Sequence, residues 1–407
     1  MSVQNNLKKR WLYLATGVFA MLFSGVLYAW SILKVPFKED FGFAESVLSL
    51  NFTLTMCFFC LGAFFGSLIC KKIGAKITLV IAGVLVGIGF ISTGMLTAQS
   101  NPWMLYVTYA LLAGTGIGIS YNVVVSTVCS WFPDRKGFCS GCLMMGFGIS
   151  TLLMGNVISI LFENPAFGVS KTYILIGAVI AAVLVAAGII LRTPSANDKL
   201  PSPKAKSTKK EAFETRDFTT AEMLRSFTFW RAFVCMAFIT AVGNSVISFA
   251  RDLVISVDAA PALAVTLVGI LSVFNGIGRI LTGALYDALG RRTTMISANV
   301  LTIVAAGITL LAVQLHSLPI CIIGLCLTGI SYGSCPTVTS AFTSSFYGQK
   351  YFSVNYSLTN FNLIVAAFIA KFANTLLAQH GGYTAPFAML LILAVAALGL
   401  NVSVKKP

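Results

Sequence analysis

Long apolar stretches recur along almost the whole chain, and they constrain the fold more than any other feature. Twelve of them have about 20 residues or more, the length that an α-helix needs to cross the hydrocarbon core of a bilayer. They are roughly residues 11–33, 46–70, 77–98, 102–130, 138–162, 170–191, 229–250, 263–286, 293–314, 317–342, 354–378 and 384–403. Helices satisfy their own backbone hydrogen bonds in lipid. The sequence therefore predicts an all-α membrane protein with twelve transmembrane helices.

The composition excludes several other classes of protein. Only 10% of the residues are charged and 57% are hydrophobic, whereas a soluble domain has about 25% charged residues. The net charge of +15 lies in short loops and forms no basic patch with interleaved aromatic residues, so we expect no nucleic-acid partner. The two CxxC pairs, Cys57/Cys60 and Cys139/Cys142, lie on or beside apolar helices far from both histidines. We interpret them as packing residues and expect no metal and no cofactor.

A polar segment divides the apolar stretches into two groups of six. Residues 192–228 are rich in lysine, with proline and serine in their first part, which is typical of a solvated linker. A short surface helix is expected near 219–226. The predicted domains are residues 1–192 and 229–407, each a six-helix bundle, joined by a cytoplasmic linker of residues 193–228.

The distribution of lysine and arginine predicts the orientation. Most of them fall on one side if the N-terminus is cytoplasmic, including those of the linker, and cytoplasmic loops carry the excess of positive charge. We therefore expect both termini and the linker in the cytoplasm, and His316 and His380 on the outer side of a cell membrane.

The two halves repeat each other. The tetrapeptide GISY occurs at 118–121 in the fourth stretch and again at 329–332 in the tenth. The loop after the second stretch ends in CKKIGAK and the loop after the eighth ends in YDALGRR, which places Gly74 and Gly290 at nearly the same offset. Two six-helix halves related in this way predict a transporter with its site between them.

Arg279 is the one basic residue deep inside an apolar stretch. Seven uncharged residues separate it from Asp287, and an arginine within a membrane helix costs about 2.5–3.5 kcal/mol on insertion scales. Its side chain could reach back to the interface, bind carbonyl groups of another helix, or bind an anion in a polar cavity. We favour the anion site, because a guanidinium matches a carboxylate with two parallel hydrogen bonds and stays charged.

The loop GALYDALGRR resembles the loop signature of the major facilitator superfamily. Its matching residues are Gly283, Asp287, Gly290, Arg291 and Arg292. The copy in the first half, GSLICKKIGAK, has Lys71 where the signature has an aspartate, so the usual charge latch is not expected there. The resemblance implies two pseudosymmetric six-helix bundles, the major facilitator fold.

A closer resemblance covers nearly the whole chain. SGVLYAWSI, GIGISYN, WFPDRKGFCSG, FTFW and NGIGRILTG together resemble the oxalate–formate antiporter family, which is related to the monocarboxylate transporters. In that family an arginine of the eighth helix binds the substrate carboxylate, and Arg279 falls on its position. Tyr28, Tyr121 and Tyr332 fall on positions of an aromatic cage, with Phe147 near them. Each of these four also has a plain packing interpretation.

Two departures from the relatives concern charge. Asn275 stands where a related monocarboxylate transporter has an aspartate one turn before the arginine. Leu363 stands where the oxalate exchanger has a second cation in the eleventh helix. Asn275 and Asn360 complete the candidate site with Lys371, for which reaching the outer interface is the favoured role. Lys34, at the outer end of the first helix, has the same two interpretations.

One arginine balances one carboxylate, and the leading hypothesis is therefore a secondary transporter for a small monocarboxylate such as lactate, pyruvate or formate. The runner-up is an exchanger of oxalate or another dicarboxylate that uses Arg279 and Lys371. A membrane sensor that only binds an acid is the alternative of another class. An enzyme is not expected, because the sequence shows no nucleophile, metal or paired-carboxylate constellation. The expected partners are the acid, a co-transported proton or counter-transported anion, and the lipid bilayer around a monomer.

Overall fold

The computed structural model of the chain describes residues 3–134, 136–195, 198, 200, 217–348 and 350–404, and most of these residues are helical. Eleven helices within these residues are long and apolar enough to cross a membrane. One of them, Glu45–Gly94, has 50 residues. At 1.5 Å per residue it would span about 75 Å, twice what a bilayer needs.

The long helix is in fact two spans joined at Gly74. This residue has φ 82° and ψ 165°, outside the helical region. Gly290, its predicted counterpart, has φ 77° and ψ 174°. A side chain at either position would meet no neighbour within 4 Å, so the positive φ alone accounts for glycine. The same turn thus follows the second and the eighth span, which confirms the internal repeat and the twelve-helix fold.

The spans are labelled α1–α12 in chain order. Their bounds are α1 Val3–Ser24, continued by a 3₁₀ turn Gly25–Ala29 and by Trp30–Leu33; α2 and α3, the parts of Glu45–Gly94 before and after Gly74; α4, Trp103–Leu105, Tyr106–Ala113 and Gly114–Cys129; α5 Lys136–Glu163; α6 Gly168–Ile190; α7 Phe227–Ile255; α8 Pro261–Leu289; α9 Arg291–Gln314; α10 Leu318–Tyr347; α11 Phe352–Thr359 and Asn362–His380; and α12 Thr384–Ser403. The interruptions within α1 and α11 were not predicted.

Helices α1–α6 and α7–α12 form the two bundles. The bundles meet along two main seams, α5 against α8 and α2 against α11. On the first seam a Cβ at Gly148 would lie 2.9 Å from the backbone nitrogen of Gly276, so only glycine fits there. On the second, the Thr53 hydroxyl donates to the Ala367 carbonyl over 3.1 Å. Because small residues let helices approach closely, the backbones of α5 and α8 meet at Gly148 and Gly276.

Polar contacts hold both ends of the segment between the bundles. The Trp131 indole donates to the Arg192 carbonyl over 2.6 Å. The Ser195 N–H and the Arg192 guanidinium both donate to Asp198, which lowers the pKa of this carboxyl to about 2. At the other end a short helix, Thr220–Arg225, begins with a capping box between Thr219 and Glu222, close to the predicted 219–226. Residues 201–216 of the predicted linker lie outside the described part, and the domain bounds stay a prediction.

Candidate anion-binding site

A cavity lies between the two bundles, at the middle of the membrane spans. Among the described residues its lining is aromatic and polar, and it draws on both bundles. The lining residues are Tyr28, Phe59, Cys60, Ala63, Tyr121, Asn122, Thr240, Arg279, Tyr332, Cys335, Pro336, Thr339, Tyr356, Ser357, Asn360, Asn362 and Leu363. Arg279 is the one charged residue in this set. A pocket with aromatic walls and a few converging polar groups is the usual form of a small-molecule site.

Arg279 lines the cavity with a buried guanidinium. The residue is 3% exposed, so it does not extend to the membrane interface. Its Nε donates to Asn275 Oδ1, one helical turn earlier, over 3.4 Å. Its Nη1 is buried and has no hydrogen-bond partner. An unpaired buried charge is costly, and an anion in the cavity would supply the missing partner.

Tyr28 and Tyr332 join the two bundles beside Arg279. The Tyr332 hydroxyl donates to Asn244 Oδ1 over 2.7 Å. Its oxygen is then free to accept from the Tyr28 hydroxyl, 3.3 Å away. The chain thus runs from α1 through α10 to α7. Both hydroxyl protons are used within the protein, so neither tyrosine offers a free donor to a ligand in this conformation.

Phe147 and Tyr121 belong to an aromatic wall. The centroid of the Phe147 ring lies 5.1 Å from that of Tyr28 and 5.3 Å from that of Tyr121, both edge-on. Phe147 supports these rings from behind and does not itself line the cavity. The Tyr121 phenol interacts electrostatically with the Arg279 guanidinium. The structure thus gathers four of the predicted residues, Tyr28, Tyr121, Tyr332 and Phe147, around the arginine.

The remaining predicted residues differ in their placement. Asn360 lines the cavity, and Asn275 lies behind Arg279 as its hydrogen-bond partner. Lys371 is half-buried on α11 and is not part of the lining. These roles stay predictions.

The loop after α8 lies away from the cavity. Gly283 lies within α8, Gly290 makes the turn described above, and Arg292 is exposed. The side chains of Asp287 and Arg291 lie outside the part of the chain that the structure describes. The gate role of this motif stays a prediction.

Tyr356 is a lining residue that sequence reasoning missed. Its hydroxyl is buried and makes no hydrogen bond of standard geometry, with the Asn360 side chain beside it. Its phenol interacts electrostatically with the Arg279 guanidinium. Its one signal in the sequence is its position seven residues, or about two helical turns, before Leu363.

Lys34 is the centre of an ion cluster at one end of the bundles, here called the Lys34 end. Its side chain is 2% exposed, and its Nζ lies 2.7 Å from Glu45 Oε1 and 2.9 Å from Asp252 Oδ2. Glu45 belongs to α2 and Asp252 to α7, so one ammonium group binds both bundles. Arg251 and Glu39 add a second pair across the bundles, at 3.5 Å. Lys34 does not line the cavity, and the cluster joins the two bundles at the Lys34 end.

Comparison with known proteins decides the family. The sequence profile of the Major Facilitator Superfamily matches residues 12–370 and also 233–405, which together cover almost the whole chain. The chain belongs to the Major Facilitator Superfamily. Its members are transporters and not enzymes, and their fold is that of the two bundles described above.

Three relatives within the Major Facilitator Superfamily are informative. The oxalate:formate antiporter of Oxalobacter formigenes is 30% identical over 296 residues, 71% of this chain and 66%, just under two thirds, of that one. The uncharacterised MFS-type transporter YhjX of Escherichia coli K12 is 25% identical over 362 residues, 88% of this chain and 86% of the relative. Human monocarboxylate transporter 12 is 23% identical over 382 residues, 88% of this chain and 73% of the relative. The resemblance to oxalate–formate antiporters and monocarboxylate transporters, predicted from the motifs, is confirmed.

Proposed function

We propose that this protein is a secondary transporter of a small organic monocarboxylate, such as lactate, pyruvate or formate, and that it works by alternating access. One observation carries the proposal. A single buried guanidinium, with an unpartnered Nη1, faces a cavity between the bundles in which no other described lining residue is charged. A monoanion would neutralise this site, and rocking of the bundles would then expose it to either side of the membrane.

Similarity to the oxalate:formate antiporter favours a dicarboxylate exchanger as the second candidate. A dianion at this site would keep one charge without a partner, which is costly in a medium of low dielectric constant. Leu363 lines the cavity at the position of the second cation, and Lys371 is not part of the lining. Lys34 is bound to two carboxylates. These placements support a monocarboxylate.

Competition between acids tests the proposal. We expect lactate, pyruvate or formate to compete for uptake into proteoliposomes better than oxalate by at least about tenfold, or ~1.4 kcal/mol. Leu363→Lys should narrow or reverse this preference, provided that its surface expression matches the wild type. Lys371→Ala should leave monocarboxylate transport intact. A wild type that prefers oxalate and loses that preference with Lys371→Ala would establish the exchanger instead.

The orientation has its own test. The excess of lysine and arginine supports a cytoplasmic linker and cytoplasmic termini, which puts the Lys34 end outside. On a cysteine-free background, a single cysteine from Ala205→Cys should resist a membrane-impermeant thiol reagent in intact cells and react after permeabilisation. Single cysteines at His316 or His380 should react in both conditions. Labelling of Ala205→Cys in intact cells would contradict the orientation.

A further inference from the structure

We infer that Tyr356 is a second hydrogen-bond donor to the substrate carboxylate, acting together with Arg279. The inference rests on the proposed function and names a binding residue that the family resemblance did not supply. Both side chains end in the same cavity with a buried donor, Nη1 of Arg279 and the hydroxyl of Tyr356, that makes no hydrogen bond of standard geometry. The Asn360 side chain lies beside the Tyr356 hydroxyl but outside that geometry. A buried hydroxyl without a partner costs free energy, and an acceptor placed between the two groups would satisfy both.

Tyr356 differs from the other tyrosines around Arg279. Four phenols interact with the guanidinium, those of Tyr121, Tyr28, Tyr332 and Tyr356. Tyr28 donates to the Tyr332 hydroxyl, and Tyr332 donates to Asn244. Tyr121 was already expected to face the acid. Tyr356 adds a donor from α11, the helix in which the oxalate exchanger has a second cation and this chain has Leu363.

The local structure fixes the Tyr356 ring in place. Its ring stacks on that of Phe352, with centroids 5.4 Å apart and planes within 9°. The preceding residue, Asn355, is buried and bound to the end of the linker, because it accepts from the Thr220 hydroxyl over 2.8 Å and donates to the Phe218 carbonyl over 3.1 Å. A donor held in this way loses little conformational freedom when it binds a ligand.

A phenol also fits the proposed selectivity for monoanions. Each of the two carboxylate oxygens has two lone pairs, so the group can accept a pair of hydrogen bonds from Arg279 and a further one from Tyr356. The second donor is neutral, and the site still compensates a single negative charge. A lysine in its place would add a second positive charge, and the site would then favour a dianion. Tyr356 would thus raise affinity without changing the charge that the cavity accepts.

Removal of the single hydroxyl is the test. Binding of radiolabelled formate, acetate, lactate and pyruvate is measured on purified wild type, Tyr356→Phe and Tyr109→Phe. Tyr109 is the matched control, because its hydroxyl is also buried without a partner but it packs on Trp30 and Phe90 away from the cavity. For an acid that the wild type binds, we expect Tyr356→Phe to raise the dissociation constant about tenfold, and Tyr109→Phe to leave it within about twofold.

Each outcome separates this inference from the proposed function. If the wild type binds an acid and Tyr356→Phe binds it equally well, the inference is wrong while the proposed function stands. Equal weakening by both phenylalanine variants also overturns it. If the wild type binds none of the four acids, both fail.

A variant that keeps the ring and the hydroxyl guards against misfolding. A fluorinated tyrosine at 356 ionises at a much lower pH than tyrosine. Its neighbours are the Asn360 side chain and the titratable or charged groups of Arg279, Cys129 and Tyr28. Its anion binding should fall as the pH is raised through neutrality, because an ionised phenol cannot donate and repels the carboxylate. The wild type should bind equally over this range. A fluorinated protein with the pH profile of the wild type would contradict the inference.

Discussion

Replacing Arg279 with alanine is expected to lower transport of a monocarboxylate by at least about a hundredfold, since each hydrogen bond to a charged group contributes about 1.5–3 kcal/mol. The protein should still fold and insert. The guanidinium donates to Asn275 Oδ1 and lies beside the Tyr121 phenol, so its removal leaves little unsatisfied and relieves a buried charge. Counterflow in proteoliposomes with matched amounts of protein measures the loss.

Arg279→Lys separates charge from geometry. Lysine keeps the positive charge but cannot offer the planar pair of donors that matches a carboxylate, so we expect transport well below the wild type. Arg231→Ala is the control, because Arg231 is an exposed arginine of α7. This variant should transport at the rate of the wild type. Transport at the rate of the wild type by either Arg279 variant would show that the acid binds elsewhere.

The fold was predictable because lipid leaves the backbone few choices. Each apolar stretch of about 20 residues had to become a helix, and all twelve predicted spans correspond to spans of the structure. The pairing of Gly74 with Gly290 was also readable, since a positive φ without steric crowding restricts both positions to glycine. Sequence therefore contained the repeat at the level of single residues.

The interruptions of the helices could not be predicted. The break in α11 falls at Asn360 and Phe361, where the sequence has neither proline nor glycine. The 3₁₀ turn of α1 carries Tyr28. Both interruptions line or adjoin the cavity, and irregular backbone at membrane depth occurs where it faces a cavity or protein. Tertiary packing, and not local propensity, decides where such breaks occur.

The candidate site was predictable only in part. Arg279 was conspicuous, because a charge in an apolar stretch has few explanations. Tyr356 was not, because tyrosine is common in membrane helices and its missing hydrogen-bond partner is a property of the folded cavity. The role of Lys34 was equally hidden, since one of its two carboxylates, Asp252, lies in the other bundle.

Lys34→Met is expected to destabilise the conformation in which the Lys34 end is closed by about 3–5 kcal/mol, the usual cost of removing one partner of a buried ion pair. The substitution roughly keeps the volume of the side chain but leaves Glu45 and Asp252 facing each other without their cation. Lys38 can replace it only in part, because it is 44% exposed and lies 3.5 and 3.9 Å from the two carboxylates. The melting temperature of the purified protein should therefore fall.

The same change should open the cavity toward the Lys34 end. Cys60 lines the cavity and is almost fully buried. In a protein where it is the one cysteine left, an impermeant thiol reagent applied from the Lys34 side should modify it faster after Lys34→Met. Lys371→Met is the matched control, since it removes a half-buried lysine of α11 that lies outside the cavity lining. Its labelling rate and melting temperature should stay close to those of the wild type.

A third variant distinguishes loss of the cation from repulsion between the carboxylates. Lys34→Met combined with Glu45→Gln and Asp252→Asn removes all three charges, so the carboxylates left unpaired by the single substitution disappear. Because most of the penalty in a broken buried pair comes from the charge left behind, the triple variant should recover much of the melting temperature. It should still label Cys60 faster than the wild type does, since the ion pairs that join α2 and α7 are missing. A Lys34→Met protein that melts and labels like the wild type would show that the cluster does not hold this end closed.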